Sequence, residues 1–123
     1  MNAVFDTNIL IDYLNGEKAA LKELARYQSR FISVITHIEV LVGASNKQEE
    51  VIIRSFLASF ELKQLTADIA EQAIKIRKDH RMKIPDAIVY ATARNEKCIL
   101  VTRNTKDLKE EWMDIRVPYQ LKV

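Results

Sequence analysis

The chain has 123 residues, 48% of them hydrophobic and 29% charged, and its formal net charge is only +2. That is enough apolar material for one self-sufficient core and too little charge to mark the whole chain as a polyanion binder, so any basic surface has to be local. Cys98 is the only cysteine, which excludes an internal disulfide; no Cys/His cluster has zinc spacing, and no apolar run approaches membrane length, so one soluble cytoplasmic domain over residues 1–123 is expected. The residues after Met1 also lack the basic flank and long apolar region of a secretory signal.

Ala3-Val4-Phe5 reads as a short strand closed by Asp6. Asp6-Thr7 then opens a helix with Ile9, Leu10, Tyr13 and Leu14 at helical spacing, ended by Asn15-Gly16. A second helix is expected over 17–29, with Ala20, Leu21, Leu24 and Ala25 on one face, followed by a strand at Phe31-Ile32-Ser33-Val34. Thr36 is a candidate cap for a short helix over 37–44 that carries Glu39. The helix expected over 47–60 is apolar over a wide arc, Val51, Ile52, Ile53, Phe56, Leu57 and Phe60, so more than one of its faces needs cover. Leu62 to Leu65 is a candidate minor strand. Thr66 with Asp68 then starts a helix whose Ile69, Ala70, Ala73 and Ile76 form an inward stripe and whose outer face is basic. Pro85 suits the first position of a helix, where its missing N–H is no loss, and it sets Asp86 at the N-terminus of a helix running to Glu96. Cys98-Ile99-Leu100-Val101 is continuously apolar, as a strand covered on both faces should be. Thr102-Arg103-Asn104 leaves that strand, a brief helical segment is expected over 107–112, and Ile115-Arg116-Val117 reads as a final edge strand.

Strands alternating with helices imply an α/β fold, a three-layer α/β/α sandwich on a mainly parallel sheet, with ligands gathering beyond the carboxyl ends of the strands. Asp6, Glu39 and Asp86 each lie where an element begins or ends, or on a short apolar helix. Carboxylates gathered in one cleft repel each other and are costly to desolvate, so their natural partner is a hard divalent cation, Mg²⁺ or Mn²⁺. Each residue also has a simpler reading. Asp6-Thr7-Asn8 can be a helix cap, Pro85-Asp86 a helix start, and Glu39 a residue on a water-facing edge. Lys75, Arg77, Lys78, Arg81 and Lys83 can be a solvated face, His37 and His80 sit in no nucleophile or metal spacing, and Cys98 reads as a core thiol.

Taken in order, Val4-Phe5-Asp6-Thr7-Asn8, Ile38-Glu39-Val40, Pro85-Asp86-Ala87 and Val101-Thr102-Arg103-Asn104 resemble the motifs of PIN-domain ribonucleases, specifically VapC-like toxins of type II toxin-antitoxin systems. The resemblance covers nearly the whole chain. It implies a PIN fold, Mg²⁺- or Mn²⁺-dependent endoribonuclease activity on an RNA substrate, frequent homodimers, and inhibition by a small cognate antitoxin protein. Asp6, Glu39 and Asp86 match the family's first three acidic positions. The fourth falls on Asn104, so one charge is missing or is supplied by Asp107. The chain also ends Val117-Pro118-Tyr119 where the family often has Asn-Pro-aromatic.

In such a site Thr7 and Thr102 can orient water or a carboxylate, and Asn8 and Asn104 can hydrogen-bond a ligand or their own turn. Arg81, Lys83, Arg94 and Arg103 are candidate phosphate contacts, which fix an RNA without reading its bases. The non-enzymatic alternative is a degenerate PIN domain that binds RNA or a protein partner without cutting. A haloacid-dehalogenase-like phosphatase fits poorly, because it needs a second aspartate where this chain has Asn8.

Overall fold

The computed structural model describes residues 1–121. Along the chain run β1 (Asn2–Phe5), α1 (Thr7–Leu14), α2 (Lys18–Ala25), β2 (Ser29–Ser33), α3 (Val34–Val42) and α4 (Lys47–Leu57). They are followed by β3 (Glu61–Lys63), α5 (Ala67–His80), α6 (Ile84–Asn95), β4 (Ile99–Val101) and β5 (Ile115–Arg116). The strands form one five-stranded sheet in the order β3-β2-β1-β4-β5, and every neighbouring pair is parallel. The chain builds outward from β1 to β3, then returns to lay β4 on the other side of β1. The switch point therefore lies between the carboxyl ends of β1 and β4, the crevice where ligands collect in sheets of this kind.

Strand side chains alternate between two buried faces. Val4 pairs in register with Phe31 and with Leu100, and Leu100 with Ile115; these four make one row that packs against Ile69, Ala73 and Ile76 of α5 and Ile88 and Ala91 of α6. Ala3, Phe5, Ile32 and Val101 point the other way, onto Ile9 and Leu10 of α1, Leu24 of α2, Val40 of α3 and Ile53 and Leu57 of α4. Helices cover both faces, giving the three layers that the sequence pattern implies. Among the described residues no helix is long and apolar enough to cross a membrane.

Several boundaries differ from the sequence reading. α2 stops at Ala25, and the backbone turns at Arg26 to bring Tyr27 into the core beside Phe5. α3 begins at Val34 because Ser33, not Thr36, accepts the capping bond, from the Ile35 N–H at 3.1 Å; Thr36 is buried inside the helix. Residues 107–112 form successive turns rather than a helix. Past α1, Gly16 takes φ +86°, a conformation that side chains with a Cβ rarely adopt.

The wide apolar arc of α4 is resolved by burial. Ile53, Leu57 and the following Phe60 are core, and Phe56 stacks on Tyr13 with ring centroids 4.5 Å apart, while Val51 and Ile52 are 67% and 63% exposed. Ile53 therefore belongs to the fold and is not part of a free surface. Ile53→Ala should cost about 2–5 kcal/mol through lost burial and a residual cavity, whereas Ile52→Ala should stay within about 0.5 kcal/mol. Urea unfolding of the two variants measures this, and equal losses would contradict the assignment of faces.

Candidate metal centre

Asp6 follows the last residue of β1, where its backbone N–H still bonds the Val101 carbonyl at 2.9 Å, and it caps α1. Its side chain is almost wholly buried, so its charge must be met by protein donors. Oδ1 accepts from the Thr7 N–H at 2.8 Å, and Oδ2 accepts from the Thr102 hydroxyl at 2.7 Å and from the Asn8 amide at 3.4 Å. Burial pushes the Asp6 pKa above the ordinary range; the bonds from Thr102 and Thr7 oppose this, and the charge of Glu39 adds to it.

Glu39 stands exposed on α3, next to the α1 N-terminus, where its Oε1 accepts from the Thr7 hydroxyl at 2.6 Å. Asp86 is half-buried in the first turn of α6, with Pro85 before it and Lys83 as the N-cap. Burial is the largest cause raising the Asp86 pKa, followed by the charges of Asp6, Asp107 and Glu39; Lys83 offsets part of this, and the carboxyl ends at about 6. The charges of Asp6, Asp107 and Glu39 thus reach Asp86 from three other segments of the chain.

Asn104 lies on the same rim, but its side chain closes its own turn. Its Oδ1 accepts from the backbone N–H groups of Lys106 and Asp107 at 3.2 and 3.4 Å, and its amide reaches Asp107 Oδ2 at 3.5 Å. The charge that reaches Asp86 from this rim is that of Asp107, held by turns and not by the expected helix. The candidate phosphate-binding cations divide. Lys83 and Arg81 are exposed at the α5–α6 junction, and the charge of Lys83 reaches Asp86. Arg94 lies in the last turn of α6, about 12 Å along the axis from Asp86 at 1.5 Å per residue, where it pairs with Asp114 and covers the Tyr90 ring. Arg103 is engaged by Asp12: its Nε bonds Oδ2 and its Nη2 bonds Oδ1 at 2.9 Å. Both arginines are thus paired with acids within the protein.

Two buried acids escaped the sequence reading. Asp12 on α1 takes the Arg103 fork and also accepts from the Tyr119 hydroxyl at 2.8 Å. Glu23 on α2 takes Arg116 at 2.6 and 3.0 Å and the Tyr27 hydroxyl at 2.8 Å; burial alone would raise its pKa, but the Arg116 and Tyr27 bonds hold it below the usual range. Asp12 at helical spacing from Ile9 and Leu10 was the available signal, because an acid so close to a core stripe needs a partner.

Among the described residues no three Asp, Glu, His or Cys side chains are close enough to make a ready-formed metal cage. The donor set nonetheless fits a hard divalent ion. Every candidate ligand is a carboxylate oxygen, and Asp6 and Asp86 are disfavoured as anions first by burial and then by neighbouring acids, both of which a cation would offset.

A family model described as PIN domain matches residues 3–110. The chain is 34% identical over 106 residues to Ribonuclease VapC1 of Methanocaldococcus jannaschii, a match covering 82% of this chain and 74% of that protein. Among solved structures, it is similar to a toxin-antitoxin complex from Klebsiella pneumoniae, with 39% identity, a TM-score of 0.91, and coverage of 97% of this chain and 99% of that one. It also shares its fold with VapBC2 from Rickettsia felis bound to a promoter DNA fragment, at 22% identity and a TM-score of 0.77, with 94% and 98% of the two chains covered.

The Asp86 shift sets a sign for stability. Burial and the neighbouring acids raise the folded Asp86 pKa to about 6, above the ordinary aspartate value of the unfolded chain, so stability from this group falls as pH rises through that window and is flat above it. With chelator present, the stability of Asp86→Asn relative to the parent should therefore increase between about pH 4 and 6. Urea unfolding of both proteins across that range measures it; a constant difference would show that Asp86 is not strained by its neighbours.

Proposed function

The chain belongs to the PIN-domain family, and on that premise we propose that it is a divalent-metal-dependent endoribonuclease that hydrolyses RNA phosphodiester bonds and serves as the toxin of a toxin–antitoxin pair. The observation that carries this reading is the buried Asp6, held by the Thr7 N–H and the Thr102 hydroxyl, together with Asp86, whose pKa is lifted to about 6 first by burial and then by the charges of Asp6, Asp107 and Glu39. Asp12 and Glu23 are each paired with an arginine, whereas Asp6 is held by hydroxyl, amide and backbone N–H donors and Glu39 by a hydroxyl, which orient charge without cancelling it.

Asp6, Asp86 and Glu39 are the residues that would hold Mg²⁺ or Mn²⁺, with Asp107 adding negative charge from the rim. When bound, such an ion neutralises charge on the phosphate and lowers the pKa of the attacking water. The protein's own contribution is orientation. The Thr102 hydroxyl and Thr7 N–H fix the plane of the Asp6 carboxylate, and the Thr7 hydroxyl draws Glu39 toward the cleft. Lys83 and Arg81, both exposed at the α5–α6 junction, would take backbone phosphates of a single RNA strand without selecting its sequence.

The antitoxin reading is supported by the toxin-antitoxin complex that this chain resembles at 39% identity. Beside Glu39 a groove of about 420 Å³ runs between α1, α3 and α4, lined by Ile11, Leu14, Val40 and Ile52. Its exposed apolar rim suits a helix laid along it, next to the acids that a basic side chain would approach. A second apolar groove between α5 and α6, with Ile74 and Ile84 exposed at its edge, offers a separate face for a homodimer.

Asp6→Asn and Asp86→Asn should each reduce Mn²⁺-dependent cleavage of defined RNAs by more than the ~100-fold typical of losing an outer-shell partner, with the fold retained by circular dichroism. Full activity in either folded variant would sink the assignment, and RNA binding without cleavage by the parent protein would favour the degenerate alternative. Saturating Mn²⁺, at about 100 times its dissociation constant, should stabilise the parent by about 2.7 kcal/mol. Ile52→Asp should abolish co-purification with the antitoxin while leaving the melting temperature within a few degrees; an intact complex would place the antitoxin elsewhere.

A further inference from the structure

Asn8 and Asp12 lie one helical turn apart on the same face of α1, and both hold Arg103. The Asn8 carbonyl oxygen accepts from the Arg103 backbone N–H at 3.1 Å, and the Asp12 carboxylate takes the guanidinium in a two-point fork. A fork of this kind fixes direction as well as distance. Arg103 sits between Thr102, whose hydroxyl donates to Asp6 Oδ2 at 2.7 Å, and Asn104, whose N–H returns to that same hydroxyl oxygen at 2.9 Å. The main chain of the β4 exit is thereby clamped to α1 at the residue next to the one that orients Asp6. Tyr119, beyond β5, donates its hydroxyl at 2.8 Å to Asp12 Oδ2, the oxygen that also takes Arg103 Nε, so three segments distant in sequence meet on one buried carboxylate.

We infer that Asp12 is a positioning residue for the metal site, acting through the Arg103 fork to hold Thr102 in line with Asp6. The inference rests on the metal-dependent reading of the acids given above. A purely structural ion pair would stabilise the fold and leave the site of folded molecules unaffected. A clamp one residue from the Asp6 partner would instead change how tightly folded molecules hold their ion, because a partner that orients a ligand is typically worth about 10-fold to 100-fold in metal affinity. Asn8 takes the Arg103 N–H and reaches the Thr102 hydroxyl with its amide at 3.4 Å, but it leaves the guanidinium to Asp12, which alone fixes the Arg103 side chain from α1.

The test is Mn²⁺ titration by calorimetry of the full chain, with kcat and KM for one RNA measured alongside and urea unfolding recorded in chelator. Asp12→Asn keeps the shape but removes the charge that holds the fork, and Arg103→Lys keeps the charge but removes the fork. Both should weaken Mn²⁺ about 10-fold or more and lower kcat with KM for RNA little changed, and Tyr119→Phe, which removes one bond to Asp12 and no charge, should shift affinity less. Mn²⁺ affinity within twofold of the parent in folded Asp12→Asn would overturn the inference. If Asp12→Asn does not fold, Arg103→Lys decides on the same criterion. No Mn²⁺ binding by the parent protein would mark failure of the metal reading itself, an outcome distinct from parent-like binding in the variants.

Discussion

The Asp6 carboxylate is buried at the carboxyl end of the central strand, where water cannot stabilise its charge and protein donors must. Its three donors come from Thr7, Asn8 and Thr102, so the first residues of α1 and the first residue past β4 have to converge on it. That requirement explains why β1 and β4 are neighbours with their exits aligned, the Asp6 N–H still bonding Val101 as the strands part. It also explains the short hydroxyl residues at the site. Threonine offers a donor on a stiff stem and brings no compensating charge, so the acid stays reactive toward a cation.

Arginines are used elsewhere, at two other buried acids. Arg103 on Asp12 and Arg116 on Glu23 fasten the chain after β4 and the edge strand β5 onto α1 and α2, and each acid takes a tyrosine hydroxyl as well. The two anchors meet at Thr102, whose N–H bonds the Arg116 carbonyl at 3.0 Å. Among the described residues every buried side-chain polar atom has a partner. Replacing one member of either pair would leave a charge with little access to water, which is why such pairs are costly to break even where their net contribution to stability is small.

Much of this was legible in the sequence because it is local. The apolar run after Pro85-Asp86-Ala87, the Thr66 cap and the apolar 98–101 run each carry their own signal, and alternating strands and helices imply a parallel sheet. The start of α3 was misplaced because Ser33 and Thr36 have similar capping chemistry, and only the length of β2 decides between them. Ile52 and Ile53 are indistinguishable by residue type; a single helical step puts one in the core and the other in solvent. The engagement of Arg103 was hidden for a different reason. Its partner Asp12 is 91 residues away, and nothing near either residue announces the pairing.

The switch-point architecture also has a consequence in time. Thr102 and Asp6 are 96 residues apart, and β4 is inserted beside β1 only after α6 has been laid down. Contacts of such long range form late because their loop-closure entropy is recovered only once the intervening elements have docked. A chain emerging from the ribosome therefore presents Asp6 and Glu39 well before it can present a finished site. Asp6 gains its Thr102 donor only once β4 has closed beside β1.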